Sequence, residues 1–273
     1  MGRTFLVTGA ASGIGYALVQ ALLARGERVY ACDINTAAMD TLHAGAAEGQ
    51  LRVEALDVRD PEAWNQVADA VVADWGSLDV LCNVAGVLRD NWVKDDTPAD
   101  VHFHFDINVK GAIFGMQAAL RHMLPRAQGH ILNIASMAAL SPVPGLGLYS
   151  ASKFAIRSYS LAAAMELAEQ GIAVTAICPD AVQTPMLDIQ KGKEQAALTF
   201  SGLRALTTEE VVQAMLDALE TRPMEVVLPG WRGVTAKFAN AFPAVGHKAV
   251  GLLRKVGRRR QGAIREGKDS TER

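Results

Sequence analysis

Tyr149 and Lys153 lie four residues apart in the segment Tyr-Ser-Ala-Ser-Lys, which opens a predicted helix. Side chains with this spacing share one helix face, so a phenol lies beside an ammonium group. A neighbouring positive charge favours the phenolate and lowers the pKa of a tyrosine from its ordinary value of about 10. We interpret Tyr149 as a general acid or base assisted by Lys153. Such pairs also occur by chance on surface helices, so the surrounding sequence must support the interpretation.

A glycine-rich turn joins the first predicted strand to the first predicted helix. It reads Thr-Gly-Ala-Ala-Ser-Gly-Ile-Gly and contains Gly9, Gly13 and Gly15. Glycines at these points permit a tight turn, close approach of a pyrophosphate to backbone N–H groups, and packing of the helix on the sheet. Glycine-rich turns also occur in loops that bind nothing. The turn therefore predicts a dinucleotide site when a second feature supports it.

Asp33 is that second feature, because it follows Gly15 by 18 residues at the end of the second predicted strand. A carboxylate at this point hydrogen-bonds the adenosine ribose hydroxyls and repels a 2′-phosphate. The nearby Ser12 and Ile34 supply no cation for such a phosphate. We therefore predict NAD rather than NADP as the cofactor. The alternative interpretation of Asp33 is a helix N-cap or turn residue.

Short apolar runs that alternate with longer helical patterns must position these residues. Strands are predicted at residues 4–8, 28–32, 51–56, 80–82, 130–135, 173–178 and 225–228. Helices are predicted at residues 13–25, 36–48, 61–74, 98–126, 149–170 and 208–221. Continuous hydrophobicity in the strands indicates a sheet covered on both faces. The predicted fold is a single-domain, Rossmann-like, doubly wound α/β structure with a mostly parallel seven-stranded sheet and helices on both faces.

Composition excludes several function classes. The 273 residues include 27 Lys and Arg against 29 Asp and Glu, so net charge gives no argument for a nucleic-acid partner. Cys32, Cys82 and Cys178 lie far apart in apolar runs and are predicted to be free buried thiols. Met1 leads almost directly into a strand, and no apolar stretch reaches the roughly 18 residues of a membrane span. We expect a cytoplasmic protein.

Two polar residues after the predicted strands complete a known pattern. Ser136 follows the strand at 130–135, and Asn108 lies in the helical pattern before that strand. With the glycine turn and the Tyr-Lys pair, these residues resemble the short-chain dehydrogenase/reductase family over about residues 4–186. The resemblance implies that Tyr149 is the general acid or base and that Ser136 holds the substrate oxygen. It further implies that Lys153 binds the nicotinamide ribose and that Asn108 positions a water in a proton relay.

Other segments match the family's cofactor site. Asn-Val-Ala-Gly at residues 83–86 resembles the family's Asn-Asn-Ala-Gly turn, and Asp-Val at 57–58 resembles the pair that flanks adenine. Residues 179–184 resemble a Pro-Gly segment that ends in a threonine, with Asp180 in place of the glycine. This departure bears on nicotinamide placement or cleft shape. The cofactor residues implied are Gly9, Ser12, Gly13, Ile14, Gly15, Asp33, Asp57, Val58, Asn83, Ala85, Gly86, Tyr149, Lys153, Pro179, Val182 and Thr184.

The approach to Tyr149 is largely apolar. The predicted substrate pocket consists of Ser136, Leu140, Val143, Leu148 and Met186. We predict an NAD(H)-dependent oxidoreductase that interconverts a secondary alcohol and a ketone on an aromatic, steroid-like or lipid-like molecule. The alternatives are a dinucleotide-binding regulatory or scaffold protein without turnover, and a membrane-associated lipid or steroid dehydrogenase. The apolar residues could also be ordinary loop packing.

Domain organisation follows from changes in composition. Residues 1–230 are predicted to form a dinucleotide-binding catalytic domain, with a substrate lid at about 183–206 that has mixed polarity. The alternative for 183–206 is an ordinary surface excursion. Family resemblance implies a homodimer or homotetramer, formed through the helix at 149–170.

Residues 231–273 are predicted to form a helical, basic extension. Its cations are Lys248, Arg254, Lys255, Arg258, Arg259, Arg260, Arg265, Lys268 and Arg273, against Glu266, Asp269 and Glu272. We favour a packed helix with a solvated end, whose apolar half covers the substrate entrance or a neighbouring subunit. The alternative is an interfacial helix on an anionic membrane surface.

His102, His104 and Asp106 are the only residues that suggest a metal site. Residues two apart on a helix point in different directions, and no further His or Cys cluster closes a ligand set. We interpret the two histidines as surface or interface residues and predict no metal.

Overall fold

Seven parallel strands form one sheet in the computed structural model, which describes residues 2–265. The strands are β1 (Thr4–Thr8), β2 (Arg28–Asp33), β3 (Leu51–Ala55), β4 (Val80–Asn83), β5 (Gly129–Ile134), β6 (Ile172–Pro179) and β7 (Glu225–Leu228). Their order across the sheet is β3-β2-β1-β4-β5-β6-β7, with every neighbouring pair parallel. The order reverses between β1 and β4, where a parallel sheet opens a ligand crevice at the carboxyl ends of its strands. The predicted fold class is confirmed.

Helices cover both faces of this sheet. The α-helices are α1 (Gly13–Ala24), α2 (Pro61–Trp75), α3 (Pro98–Phe105), α4 (Ala112–Met123), α5 (Gly147–Leu167), α6 (Pro185–Asp188), α7 (Thr208–Thr221), α8 (Gly230–Ala241) and α9 (Pro243–Arg265). Short 3-10 segments lie at Thr36–Gly45, Val93–Asp95, Leu124–Arg126, Met137–Ala139, Ala168–Gln170 and Ala197–Ser201. The helix predicted at 36–48 is therefore a 3-10 segment that ends at Gly45.

Two apolar clusters, one on each sheet face, explain why the strands are hydrophobic throughout. Val7 packs into the cluster under α1 and α7, whereas its neighbour Leu6 packs into the cluster under α2, α4 and α5. Successive strand residues point to opposite faces, so both must be apolar when both faces are covered. Cys32, Cys82 and Cys178 are free and buried, as predicted.

The long helix predicted at 98–126 is interrupted by a π-helical turn, which carries one of the predicted catalytic residues. It begins with a capping box between Thr97 and Asp100, and a π-helical turn at Asp106–Gly111 separates α3 from α4. Single π turns inserted in α-helices often occur at functional sites. At Gly111 a Cβ would lie 2.8 Å from Val58, so the turn passes close to the segment after β3. The turn carries Asn108.

The C-terminal extension is helical as far as the structure describes it. α8 and α9 pack against each other as a hairpin, and α9 lies along the 3-10 segment Ala197–Ser201. Of the tail residues singled out in the sequence, Glu266, Lys268, Asp269, Glu272 and Arg273 lie outside the described residues. No helix within residues 2–265 is long and apolar enough to cross a membrane.

Candidate active site

A cavity of about 1000 Å³ lies at the carboxyl ends of the strands. It extends from the glycine turn after β1 to the inner side of the α8–α9 hairpin. Most of the residues predicted to bind the cofactor line it: Gly9, Ser12, Gly13, Ile14, Gly15, Asp33, Asp57, Val58, Ala85, Gly86, Tyr149, Lys153, Pro179, Val182 and Thr184. The crossover at β1 and β4 thus brings together residues from more than half of the chain.

The glycine turn forms a cradle that side chains would fill. Gly9 has φ +67°, and a Cβ there would lie 2.8 Å from the Ala85 nitrogen. Gly13 has φ +54°, and its Cβ would lie 3.0 Å from Thr184 Cγ2. A Cβ on Gly15 would overlap the Gly9 carbonyl. Because Ser12 precedes α1 without capping it, its hydroxyl and the first helical N–H groups can receive a pyrophosphate.

Asp33 lies at the far end of the same cavity. Its carboxylate accepts hydrogen bonds from the Ala11 N–H at 3.2 Å and the Asn35 N–H at 3.0 Å. The carboxylate therefore has the turn role considered as an alternative, and it also faces the cavity. Arg59 is a nearby cation in the cavity wall, but a bidentate ion pair with Asp57 engages it. This pair holds the pKa of Asp57 below its usual value.

The turn after β4 is held in place by buried polar side chains. Thr8 Oγ1 accepts hydrogen bonds from the Val84 and Ala85 N–H groups, each at 3.2 Å. Asn83 donates to Asn133 Oδ1 at 2.8 Å and to the Ala112 carbonyl at 3.1 Å. Asn83 is therefore engaged behind the cavity wall and does not line it, unlike Ala85. Its two hydrogen bonds join the end of β4 to β5 and α4, and its contact with the cofactor stays a prediction.

Tyr149 and Lys153 lie on the inner face of α5, both buried. Lys153 Nζ donates to the Ile134 carbonyl at 2.9 Å and lies 5.7 Å from the centre of the Tyr149 ring. Ser136 follows β5, and its hydroxyl accepts from the Ala138 N–H at 3.1 Å. α5 and the end of β5 therefore bring the three predicted residues to one wall of the cavity.

The protonation of this wall differs from the sequence expectation. Burial raises the pKa of Tyr149, and a hydrogen bond with Ser136 only partly opposes the rise. Burial also lowers the pKa of Lys153 to about 8. Desolvation disfavours the charged form of each group, so the pKa of Tyr149 is raised and not lowered as we expected from the neighbouring ammonium. The phenol is therefore protonated at neutral pH and ready to donate.

Asn108 joins the π turn to α5 and to the loop after β4. Its amide nitrogen donates to the Val87 carbonyl at 2.9 Å and to Ser152 Oγ at 3.0 Å. Its Oδ1 accepts from the Val87 N–H at 2.8 Å. Both amide hydrogens are engaged, so a water in the predicted relay would have to use the remaining capacity of Oδ1 or the backbone of Asn108.

The substrate end of the cavity only partly matches the predicted pocket. Ser136, Val143 and Met186 line it. Leu140 instead packs in the core with Cys178. Leu148 also lies outside the lining, because neighbouring residues on a helix point about 100° apart and Tyr149 takes the cavity side. Leu88, Ala138 and Leu146 pack with Tyr149, and the apolar lining of the cavity also includes Leu187 and Leu198.

The α8–α9 hairpin supplies a wall that the pocket prediction missed. Its lining residues are Arg232, Thr235, Ala236, Ala239, Asn240, Pro243, Gly246, His247, Ala249, Val250 and Leu253. α9 also contacts the segment at 183–206: Arg254 pairs with Glu194 at 2.7 Å, and Gln261 donates to the Lys193 carbonyl at 3.4 Å. The apolar half of the extension thus covers the cavity, one of the two arrangements that we favoured.

Asp180, the departure from the family pattern, is paired. Its carboxylate lies 3.0 Å from Arg232 Nη1, and Arg232 Nη2 also donates to Ser201 Oγ at 3.3 Å. Burial raises the pKa of Asp180, while Arg232 opposes the rise. At Gly202 a Cβ would overlap Arg232, so the absent side chain leaves space for the pair. The aspartate thereby connects the end of β6 to α8 and, through Arg232, to the segment at 183–206.

Comparison with known proteins agrees with this geometry. The family model of the short chain dehydrogenases matches residues 3–195. The chain is a short-chain dehydrogenase/reductase. That match includes the glycine turn, Ser136, Tyr149 and Lys153, and it ends before α8 and α9.

Curated relatives of this short-chain dehydrogenase/reductase include two named enzymes. The 2-(R)-hydroxypropyl-CoM dehydrogenase of Xanthobacter autotrophicus is 35% identical over 230 residues, which cover 79% of this chain and 90% of that enzyme. The 3-alpha-(or 20-beta)-hydroxysteroid dehydrogenase of Mycobacterium bovis is 34% identical over 188 residues, which cover 69% of this chain and 72% of that enzyme.

Solved structures show the same fold. A short-chain dehydrogenase from Streptomyces avermitilis superimposes with a TM-score of 0.79 at 27% identity, covering 94% of this chain and 98% of that one. ElxO, solved with NADP bound, superimposes with a TM-score of 0.73 at 28% identity, covering 80% of this chain and 91% of that one. The fold of this short-chain dehydrogenase/reductase thus occurs with NADP in at least one neighbour.

Several residues of this short-chain dehydrogenase/reductase site were missed in the sequence. Thr8 holds the turn after β4, and Ser152 accepts from Asn108 while donating to the Tyr149 carbonyl at 2.7 Å. Arg232 lies 52 residues beyond its partner Asp180. Two serines, Ser150 and Ser152, lie between Tyr149 and Lys153 and were the readable signal for such a contact. Nothing in the sequence around Arg232 indicated that it pairs with Asp180.

The two histidines near the π turn differ from each other. His104 is buried, its Nδ1 lies 2.8 Å from the Asp100 carbonyl oxygen, and its Nε2 accepts from the Arg89 N–H at 3.0 Å. Burial lowers the pKa of His104. The prediction of a surface or interface position is therefore wrong for His104, whereas His102 is exposed. The part of the chain that the structure describes contains no cluster of three candidate metal ligands.

Proposed function

We propose that this short-chain dehydrogenase/reductase is an NAD(H)-dependent enzyme that interconverts a secondary alcohol and a ketone on a hydrophobic small molecule. The observation that carries the proposal is the buried Tyr149 phenol, which packs with Leu88 and Leu146 on a cavity wall shared with Ser136 and Lys153. A protein that only sensed the dinucleotide would not need this proton-transfer group beside an apolar chamber.

The cavity fits a nicotinamide dinucleotide. Gly9, Gly13 and Gly15 leave space that side chains would fill, and the start of α1 offers N–H groups to a pyrophosphate. Asp33 faces the ribose end with a carboxylate, and Arg59 is already engaged by Asp57. These observations support NAD over NADP, although ElxO was solved with NADP. When bound, the dinucleotide would accept or supply the hydride.

In carbonyl reduction, side chains of this protein supply the proton that the substrate oxygen receives. Ser136 donates a hydrogen bond to the carbonyl oxygen, which stabilises the charge that develops on it. Tyr149, protonated at neutral pH, gives its proton to the same oxygen and becomes phenolate. Lys153 stabilises that phenolate by its positive charge. Alcohol oxidation uses the same groups in reverse, with Tyr149 accepting the hydroxyl proton.

The named relatives and the residues that line the cavity both support this class of substrate. The two named relatives act on a 2-hydroxypropyl group and on hydroxysteroids, both of which carry secondary alcohols. The chamber beyond Tyr149 is lined mainly by apolar residues from the lid segment and the hairpin, among them Leu187, Leu198, Val250 and Leu253. Apolar walls favour a ligand that buries hydrocarbon on binding. We therefore propose a steroid-like, aromatic or lipid-like alcohol or ketone.

We also propose the domain division and assembly expected from the sequence. Residues 1–230 would form the catalytic domain with a lid at about 183–206, and 231–273 the extension. Tyr159 and Met165 are exposed apolar residues of α5, which supports a homodimer or homotetramer through that helix. The proposed location is the cytoplasm.

The full chain tests the proposal in a panel of hydrophobic secondary alcohols and ketones, followed by NADH absorbance. We expect turnover with NAD(H), weaker turnover with NADP(H), and loss of turnover in Tyr149→Phe. NADH binding, measured by intrinsic fluorescence, should survive in that variant. Binding without turnover across the panel would instead support the regulatory alternative. A fully active Tyr149→Phe enzyme would disprove the mechanism.

A further inference from the structure

The α8–α9 hairpin has an inner face that lines the cavity and an outer face that remains exposed. The large apolar side chains of the outer face are between 54% and 70% exposed: Trp231, Val234, Phe238, Phe242, Val245 and Leu252. The Phe238 and Phe242 rings lie 4.9 Å apart, centre to centre. Contiguous exposed apolar patches of this kind in soluble proteins mark interaction surfaces.

The outer face of α9 mixes apolar and cationic residues in a regular pattern. Spacings of three, seven, ten and fourteen from Val245 place Lys248, Leu252, Lys255 and Arg259 on one side of the helix. All five are exposed. The opposite side, which includes Gly257 and Gln261, is buried against the lid segment.

The charged side chains of this hairpin are all cationic. Residues 230–265 contain no Asp or Glu. Four cations of the hairpin have acidic partners: Arg232 pairs with Asp180, Lys237 pairs with Glu225, and Arg254 and Arg258 pair with Glu194. Lys248, Lys255 and Arg259 make no ion pair within residues 2–265. The outer face therefore carries uncompensated positive charge among exposed apolar side chains.

We propose that this outer face docks the enzyme on an anionic lipid surface. An interfacial helix inserts apolar side chains at the headgroup boundary while its lysines and arginines attract anionic lipids, which is the combination present here. A second copy of the chain fits less well, because a two-fold contact would bring the same cations together. A nucleic acid would satisfy the cations but leave the Trp, Phe and Val side chains in water.

The docked face adjoins the substrate chamber. Leu253 lines the cavity and is 40% exposed, next to Leu252 on the outer face. Pro243 and Gly246 line the cavity on either side of Val245 in the first turn of α9. An apolar substrate dissolved in the lipid would therefore reach the chamber beside the docked face. This delivery rests on the proposed function, whereas the docking itself does not.

Flotation of the full chain with vesicles tests the docking. We expect recovery with vesicles of phosphatidylcholine mixed with phosphatidylglycerol, weak recovery with phosphatidylcholine alone, and reduced recovery at high salt. Lys248→Gln, Lys255→Gln and Arg259→Gln combined should weaken partitioning by about 100-fold. The matched control replaces three exposed cations elsewhere, Arg52→Gln, Lys94→Gln and Lys191→Gln, and should retain binding.

A second variant separates the apolar contribution. Trp231→Gln with Phe238→Gln should reduce vesicle binding even at low salt, because the lost contact is not electrostatic. Equal recovery of the wild type with and without phosphatidylglycerol would overturn the proposal. So would a change in oligomer mass caused by Trp231→Gln and Phe238→Gln, or binding to heparin without binding to vesicles. Turnover of a water-soluble alcohol by the triple Gln variant shows that a loss of docking is separate from the proposed function.

Discussion

Gly257 of α9 packs so closely on Ala197 of the 3-10 segment Ala197–Ser201 that a Cβ at Gly257 would overlap the Ala197 carbonyl oxygen. Gly257→Ala should therefore separate α9 from this segment. We expect the free energy of unfolding to fall by about 1–3 kcal/mol, as overpacking does, and KM for an apolar ketone to rise. Urea denaturation and steady-state kinetics measure the two effects.

Gly251→Ala is the matched control for that contact. Gly251 lies on the same helix, and a Cβ there would have no neighbour within 4 Å. Alanine is a better helix former than glycine, so this variant should be neutral or up to about 1 kcal/mol more stable. Equal stability and equal KM of the two variants would show that α9 does not pack on the segment Ala197–Ser201.

Tyr149→Phe removes the proton donor without removing the ring. We expect kcat to fall by about 10²- to 10⁴-fold, the contribution typical of general acid–base catalysis, with little change in NADH affinity. Tyr159→Phe is the control, because Tyr159 lies on the same helix and is 39% exposed. Its kcat should match the wild type. Loss of activity in both variants would point to damage to α5 rather than to a lost proton.

Asp33→Asn removes the charge that faces the adenosine end of the cavity. The amide can still accept one of the two backbone hydrogen bonds now made by the carboxylate, so the turn should survive. We expect the preference for NADH over NADPH to shrink by about tenfold, through weaker NADH binding and less repulsion of the 2′-phosphate. Fluorescence titration measures both affinities, with Asp40→Asn, outside the cavity, as control. A wild type that prefers NADPH would contradict the role of Asp33.

The fold could be predicted because it depends on local pattern. Leu6 and Val7 are both apolar since each sheet face is covered, and that requirement is visible in any strand taken alone. The Tyr149–Lys153 spacing was equally readable. The π turn that carries Asn108 was not, because the period of 3.6 residues is the same on either side of it and only the phase of the apolar positions shifts.

The parts of the site that depend on tertiary contacts could not be predicted from the sequence. Leu140 was as apolar as Val143, but only the path of the loop decides which of the two faces the cavity. Arg232 and Asp180 meet across 52 residues without any local signal. The pKa of Tyr149 also could not be predicted, because burial and not the neighbouring ammonium dominates it.

The rate of carbonyl reduction should depend on pH through Lys153. Its pKa of about 8 lies below the ordinary lysine value, so the ammonium is charged at neutral pH and loses its proton as pH rises through that value. Because the charged form stabilises the phenolate, kcat/KM for reduction should fall above about pH 8. Lys153→Arg keeps the charge and should move the fall to higher pH. A flat profile between about pH 7 and 9 in the wild type would contradict this role.

Arg232→Met leaves Asp180 buried without its partner. Removing one member of a buried ion pair is costly, so we expect the free energy of unfolding to fall by about 3 kcal/mol. Adding Asp180→Gly should recover most of that loss, since no uncompensated charge remains. Lys191→Met breaks an exposed pair with Asp188 and should change stability by less than about 0.5 kcal/mol. Urea denaturation of the four proteins, wild type included, provides the comparison.

The cavity is assembled from two stretches of chain with different relations to the family. Ser136, Tyr149 and Lys153 come from residues 3–195, which the family model matches, whereas the wall contributed by α8 and α9 comes from beyond them. Exchange of the cavity-lining residues of this hairpin for those of a relative, with Arg232 and Gly257 retained, would therefore alter one wall of the cavity and leave the proton-transfer groups untouched. For protein engineering, the hairpin wall is the part of the cavity that can be redesigned.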